Sequence, residues 1–297
     1  MASVQDLRRR IRSVRNTRKI TKAMELVASA RLRRAQARIE AMRPYADRMM
    51  ELMVGTARAA SSVHGLPLLQ RREVRTVAVL PLTGDRGLAG PFNAQILRHA
   101  FALGRSLEAE SLQVRWLVAG RKGNSTLRFR GYEIEQAWSG FSDRPAYADA
   151  QTIAHRLADL YVSGAVDRAV VVYNHFVSPL VQTVVEQDVL PIPEEMLERG
   201  EEESEHERAM LGDFIYEPEP EEILARLLPF YLETEIYRAL LESAASEQGA
   251  RMTAMRNASK NAGELIDSLT LAMNRARQAE ITQEILEVVA GADALTA

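Results

Sequence analysis

Five histidines, His64, His99, His155, His175 and His206, are the side chains of this 297-residue sequence that titrate nearest neutrality, and they fall in separate segments. None stands four residues from another, so no helix face offers the paired imidazoles of a metal site. A lone histidine such as His155, on a helix-patterned stretch, reads as structural. The absence of cysteine excludes disulfides, thiolate nucleophiles and cysteine metal ligands. There is no Gly-x-Ser-x-Gly elbow and no Gly-x4-Gly-Lys-Ser/Thr phosphate loop. The loop from Thr83 to Gly90 follows a strand and opens a helix, where a dinucleotide-binding fold would cradle a pyrophosphate. Its glycines Gly84, Gly87 and Gly90 recur every third residue, not as G-x-G-x-x-G, and Pro91 removes an amide near the helix start. A structural turn is the better reading. Gly120-Arg121-Lys122-Gly123 invites the same phosphate reading, and a turn after a strand explains it equally well. No catalytic residue, metal or cofactor is expected.

The chemistry that the sequence does offer is electrostatic. Up to Arg38, the N-terminal stretch carries Arg8, Arg9, Arg10, Arg12, Arg15, Arg18, Lys19, Lys22, Arg31, Arg33, Arg34 and Arg38 against only Asp6 and Glu25. Such a field calls for an anionic neighbour: nucleic acid, an acidic membrane surface or an acidic protein collar. A basic DNA-binding helix would bring a dimerising zipper, and RNA-binding aromatics are missing from the stretch, so nucleic acid is not the expected partner.

Two long helices must carry these charges. From Ser3 to about Ala60, Leu7, Ile11, Val14, Thr21, Ala28, Leu32, Ala35, Ile39, Met42, Ala46 and Met53 mark a coiled-coil seam. Ile20, Met24 and Val27 widen its apolar face. From Glu221 to Ala290 the steps of three and four return in Leu241, Ala245, Met252, Met255, Ala262, Ile266, Leu269, Met273 and Ala276. A helix of that extent is roughly 90 Å long, so it is expected to project from any domain this chain can build. Ala, Ser259 and Gln248 at its seam allow close approach with little apolar area per turn. Gly249 and Gly263 each cost about 1 kcal/mol relative to Ala, which points to close backbone approach or to tolerance.

Between the helices, short β-branched runs alternate with helical ones, an α/β pattern. Strands are expected at 76–82, 113–119, 132–138, 169–173 and 180–186, and helices at 94–107 and 146–163. The domains are then an N-terminal coiled-coil helix 1–60, an α/β domain 74–192, an acidic loop 193–213 and a C-terminal coiled-coil helix 219–290. The loop is set by Glu195, Glu198, Glu201, Glu202, Glu203 and Glu205. With 46% hydrophobic and 26% charged residues and a formal charge of -2, the chain is an ordinary soluble protein. No apolar run approaches the eighteen or so residues that cross a bilayer, and the start lacks a secretory core, so a cytoplasmic location is expected.

The two ends together resemble the gamma subunit of the F-type, proton-driven ATP synthases. At the start the resemblance is carried by Ile11-Arg12-Ser13-Val14, by the run from Thr17 to Ala28 and by Arg43-Pro44-Tyr45. At the end it is carried by Glu247 to Met252, Met255 to Asn261, Arg277 to Ile285 and Glu287 to Ala292. Asp85-Arg86-Gly87-Leu88 and Tyr216-Glu217-Pro218 fit the middle of the family. Ala89-Gly90-Pro91-Phe92 stands where the family often has a Cys-Gly-Gly-Leu-like run, and the lack of cysteine sets the chain apart from the redox-regulated chloroplast type.

The resemblance implies a long antiparallel coiled coil of the terminal helices plus a small Rossmann-like α/β domain, with the shaft's tip inside a catalytic ring of alpha and beta subunits. It implies that Met24, Arg251, Arg277, Gln278, Thr282 and Glu284 meet the lever and catch loops of that ring. Phe214 and Glu217 would lie near the epsilon subunit and the membrane c-subunit ring. Nucleotides would bind to the catalytic ring, the chain itself being non-catalytic, with peripheral placement at the cytoplasmic face of a bacterial cell membrane. A turning shaft cannot hold one angle deeply, because a contact several kcal/mol better at one orientation would trap it there. Exposed arginines facing an acidic collar, screened beyond about 8 Å, can be handed from partner to partner. Two other readings make different predictions: a basic nucleic-acid binder would show steeply salt-dependent affinity, and a dinucleotide enzyme would be stabilised against heat by its cofactor.

Overall fold

Val77 and Val79 point to one side of a strand, Ala78 and Leu80 to the other, and all four are fully buried. A strand apolar on both faces needs layers on both sides, which is how a parallel sheet is built. The computed structural model describes residues 3–60, 65–179, 181–193 and 217–296, with side chains up to residue 290. The acidic loop beyond Pro193, together with Phe214, His64 and His206, lies outside the described residues.

In chain order the elements are helix α1 (Val4–Ala59), strand β1 (Thr76–Pro81), helix α2 (Phe92–Ala109), strand β2 (Gln113–Ala119), helix α3 (Arg121–Phe129), strand β3 (Ile134–Trp138), helix α4 (Tyr147–Val162), strand β4 (Arg168–Phe176), strand β5 (Gln182–Leu190) and helix α5 (Pro220–Thr296). The sheet order is β3-β2-β1-β4-β5, parallel except for the antiparallel pair of β4 and β5. The mixed α/β class with long terminal helices is therefore as the sequence indicated.

The chain divides into two compact units, residues 29–250 and residues 1–28 with 251–297. In the larger unit, Leu80, Leu117 and Val171 pack with Ile153 and Leu157 of α4, Met53 of α1 and Leu228, Leu232 and Ile236 of α5. The opposite side of the sheet buries Val79, Val118 and Val172 against Ile96 and Ala100 of α2 and Leu127 of α3.

Several element expectations need correction. Arg121–Phe129 is a helix where a turn was read, because Gly120 and Gly123 mask a nine-residue element whose glycines are there for space. A Cβ on Gly123 would lie 2.6 Å from Val118 and 2.7 Å from Thr83 Oγ1. The third strand begins at Ile134, since Tyr132 N–H donates to Leu127 O in the turn closing α3. The last strand runs to Leu190, past the expected end at Glu186; its alternating polar residues suit an edge with one neighbour.

Within the smaller unit the two helices run antiparallel. Arg256 Nε lies 3.1 Å from Glu25 Oε1, and the position of a Cβ on Gly263 would be 3.6 Å from Arg18 Cζ. Seven residues back along α1 thus match seven forward along α5. Leu7, Ile11, Thr21 and Ala28 are buried on one side of this pair, and Met252, Met255, Ala262 and Ile266 on the other. Those are seam positions taken from the sequence.

Candidate functional site

The carboxyl ends of β1, β2 and β3 form the edge of a sheet where α/β folds commonly bind ligands. Here the chain's own side chains take up the donors. Asp85 Oδ1 accepts from Arg121 N–H at 3.0 Å, and Oδ2 from Gly140 N–H at 2.8 Å and Ser142 N–H at 3.2 Å. Lys122 N–H donates to Gly84 O at 3.1 Å, and Gly123 N–H to Thr83 Oγ1 at 2.9 Å. The opening amides of α3, which a phosphate would need, are consumed, and the Asp85 carboxylate occupies the positive end of the helix dipole. A Cβ on Gly84 would come within 2.9 Å of the buried Glu247 carboxylate of α5, which packs directly against this loop. The arrangement is a lock joining three strand ends to α5. Ser243 Oγ and Ser246 Oγ complete it, donating to Leu82 O at 3.3 Å and Asn174 O at 3.0 Å.

Other carboxylates tie the larger unit together. Asp143 accepts from Arg31 Nη1 at 2.7 Å and from Gln248 Nε2 at 3.0 Å, with Arg86 Nη1 at 3.4 Å. The buried Glu233 of α5 faces Tyr147 Oη at 2.7 Å, His155 Nε2 at 2.8 Å and Gln151 Nε2 at 3.4 Å. Burial, and then the hydrogen bond to Glu233, push the Tyr147 phenol upward. His175 Nδ1 contacts Glu242, while His99 Nδ1 is 3.9 Å from Glu186. Each described histidine thus meets a different carboxylate on a different part of the fold. Among the described residues no group of three or more His, Asp or Glu side chains is arranged to hold a metal ion.

The smaller unit presents a dense basic surface. Arg8, Arg9, Arg10, Arg12, Arg15, Arg18, Lys19 and Lys22 are all exposed. Glu25 alone is buried among them, and the Lys22 hydrogen bond, opposed by burial and helped by Arg256, holds its carboxyl below the usual range.

The antiparallel register locates the end of the pair. Fourteen residues back from Arg18 is Val4, the first residue of α1, and fourteen forward from Gly263 is Arg277. From Arg277 to Ala290 every residue of α5 is exposed. Glu280, Glu284 and Glu287 share one side of this segment at 100° per residue. Ile281, Ile285, Leu286, Val288 and Val289 sweep across the other, from 47% to 73% exposed. An exposed apolar arc of this width marks an interaction surface.

The residues expected to touch partners separate into groups. Met24 is half-buried in α1 and Arg251 is buried in α5, opposite neighbouring turns of the pair. Arg277, Gln278, Thr282 and Glu284 are exposed roughly 40 Å further along α5, at 1.5 Å per residue. Thr282 Oγ1 donates to Gln278 O at 2.9 Å, so its hydroxyl proton is used within the helix. Glu217 is exposed in the larger unit, and Phe214 is outside the described residues. Sequence reasoning passed over Asp85, Asp143 and Glu25 as site organisers. Glu25 carried a signal as one of two acids in a basic run, and Asp85 one as part of the Asp85-Arg86-Gly87-Leu88 motif.

The family model described as ATP synthase matches residues 3–295. The chain is 48% identical over 297 residues to the ATP synthase gamma chain of Rubrobacter xylanophilus, with all of both chains covered. It is 44% identical over 315 residues to that of Nostoc punctiforme, again with both covered in full. Among solved structures, a chain of the central stalk and c-ring of the Tetrahymena thermophila mitochondrial ATP synthase is similar, with 27% identity and a TM-score of 0.58, covering 81% of this chain and 99% of that one. A chain of the Euglena gracilis mitochondrial ATP synthase rotor shares the fold at 16% identity and a TM-score of 0.63, covering 94% and 98%.

Proposed function

Because this chain belongs to the ATP synthase gamma family, we propose that its paired helices are enclosed by the alpha and beta subunits of a catalytic ring, and that its α/β body meets the epsilon subunit and the membrane c-subunit ring. The chain is a central-stalk subunit of an F-type ATP synthase and is not itself catalytic. It couples rotation of the membrane ring, driven by protons in this reading, to ATP synthesis or hydrolysis.

One observation carries the partner reading: α5 continues as helix beyond Arg277 with no segment of α1 left to cover it, and presents Ile281, Ile285, Leu286, Val288 and Val289 outward. An apolar sleeve in the catalytic ring would bury them. The basic side of α1 would then face acidic loops of that ring, through charges that attract at many angles without fixing one. In this reading Met24 and Arg251 act at one level of the shaft. Arg277, Gln278, Thr282 and Glu284 act at another, against the lever and catch loops, and Phe214 and Glu217 serve the epsilon and c-ring side. Among the described residues no helix is long and apolar enough to cross a membrane. Association with the cytoplasmic face of the cell membrane would run through the partner subunits.

Reassembly with purified catalytic subunits tests this. The isolated chain should hydrolyse no ATP, and adding it should strongly stimulate the ring. Arg277→Ala with Gln278→Ala should lower both hydrolysis and ATP-driven proton pumping. Unchanged rates in that double variant would remove these two residues from the site.

A further inference from the structure

Helices α2 and α3 lie on the side of the sheet away from α4, and a groove of about 530 Å3 runs between them, lined by Leu97, Arg98, Arg105, Lys122 and Arg130 among others. Several arginines elsewhere in the same unit are paired: Arg72 with Asp167, Arg115 and Arg156 with Glu135, Arg168 with Asp188, Arg31 and Arg86 with Asp143, and Arg238 with Glu235. The groove instead gathers four cations without an acid. No carboxylate lines it, and among the described residues Arg98, Arg105 and Lys122 form no ion pair. The Arg130 guanidinium lies 4.3 Å over the Phe101 ring, which fixes its planar fork in place without neutralising it.

Four cations gathered in one concave surface repel one another, and the fold provides no counter-charge for them. We propose that this groove binds a small anion carrying more than one phosphate group. Arg98 and Arg105 are two turns apart on α2, roughly 10 Å, and Lys122 and Arg130 are spaced similarly along α3. A single phosphate spans too little of this to engage both ends. A chain of phosphates, or a headgroup with adjacent phosphates, can meet cations from both helices, with guanidinium forks donating to its oxygens in pairs. The site is distinct from the lock around Asp85, where the α3 amides are already used, and it does not depend on how the paired helices engage a catalytic ring.

The test uses the full chain. Tripolyphosphate and orthophosphate are titrated by calorimetry, and vesicles of cardiolipin, whose headgroup carries two phosphates, in phosphatidylcholine are assayed by flotation. Each probe is also applied to Arg105→Gln/Lys122→Gln and to Arg8→Gln/Arg12→Gln, which removes cations from the other basic surface. All four side chains are exposed, so thermal melting should match the parent. Saturable tripolyphosphate binding, far tighter than orthophosphate, should weaken about tenfold or more in the groove variant and hold in the helix variant. Vesicle flotation lost only in the groove variant, without tripolyphosphate binding, would assign the phosphates to a lipid headgroup. Absence of saturable binding to either probe, or equal losses in the two variants, overturns the proposal.

Discussion

Glu25 and Arg256 meet at 3.1 Å across two helices that are 231 positions apart in sequence. That contact fixes the register of the smaller unit: with Arg18 beside Gly263, it makes Arg277 the last position of α5 that faces α1.

The Glu25 carboxyl is held below its ordinary value, first by the Lys22 hydrogen bond. A depressed folded pKa contributes stability above the unfolded value of about 4.3, lost as pH falls through the folded value. Urea unfolding of the full chain should show Glu25→Gln less stable at pH 7, by under about 1 kcal/mol because Lys22 and Arg256 are mostly exposed. The gap should close below about pH 4.

Gly263 and Gly120 should respond oppositely to alanine. A Cβ at Gly263 meets only ordinary contacts, so Gly263→Ala should stabilise by about 1 kcal/mol through helix propensity. Gly120 has φ of 97°, and its Cβ would fall 2.0 Å from Thr83 O, so Gly120→Ala should cost about 3 kcal/mol or more. Thermal melts of both variants decide this.

Asp85→Ala leaves the amides of Arg121, Gly140 and Ser142 without their acceptor. A loss of about 3 kcal/mol is expected, with amide exchange rising first at those three positions.

Ile285→Asp with Val288→Asp should leave the melting of the isolated chain within about 0.5 kcal/mol of the parent, since both side chains are exposed. Assembly with the catalytic subunits should fail. Normal assembly would show that the apolar arc is not enclosed.

The long helices and the sheet strands were readable because period is a local property: steps of three and four from Leu7 to Ala28, and the unbroken apolar run from Val77 to Leu80, are written in neighbouring residues. Helix α3 was not, because its glycines answer to Thr83, which stands about forty positions earlier in the sequence. The segment from Ala239 to Met252 read as one stripe, yet every residue in it is buried. The small residues Ala244, Ala245, Ser246 and Gly249 let neighbouring elements close in around it.

Residue order alone therefore determined the class of fold, the pairing partners and the excess of positive charge, since each depends on spacing along one segment. The tertiary structure decided which acids organise that charge. Asp85, Asp143 and Glu25 gain their roles only when folding brings donors from separate elements within about 3 Å of one carboxylate, and no spacing rule encodes that meeting.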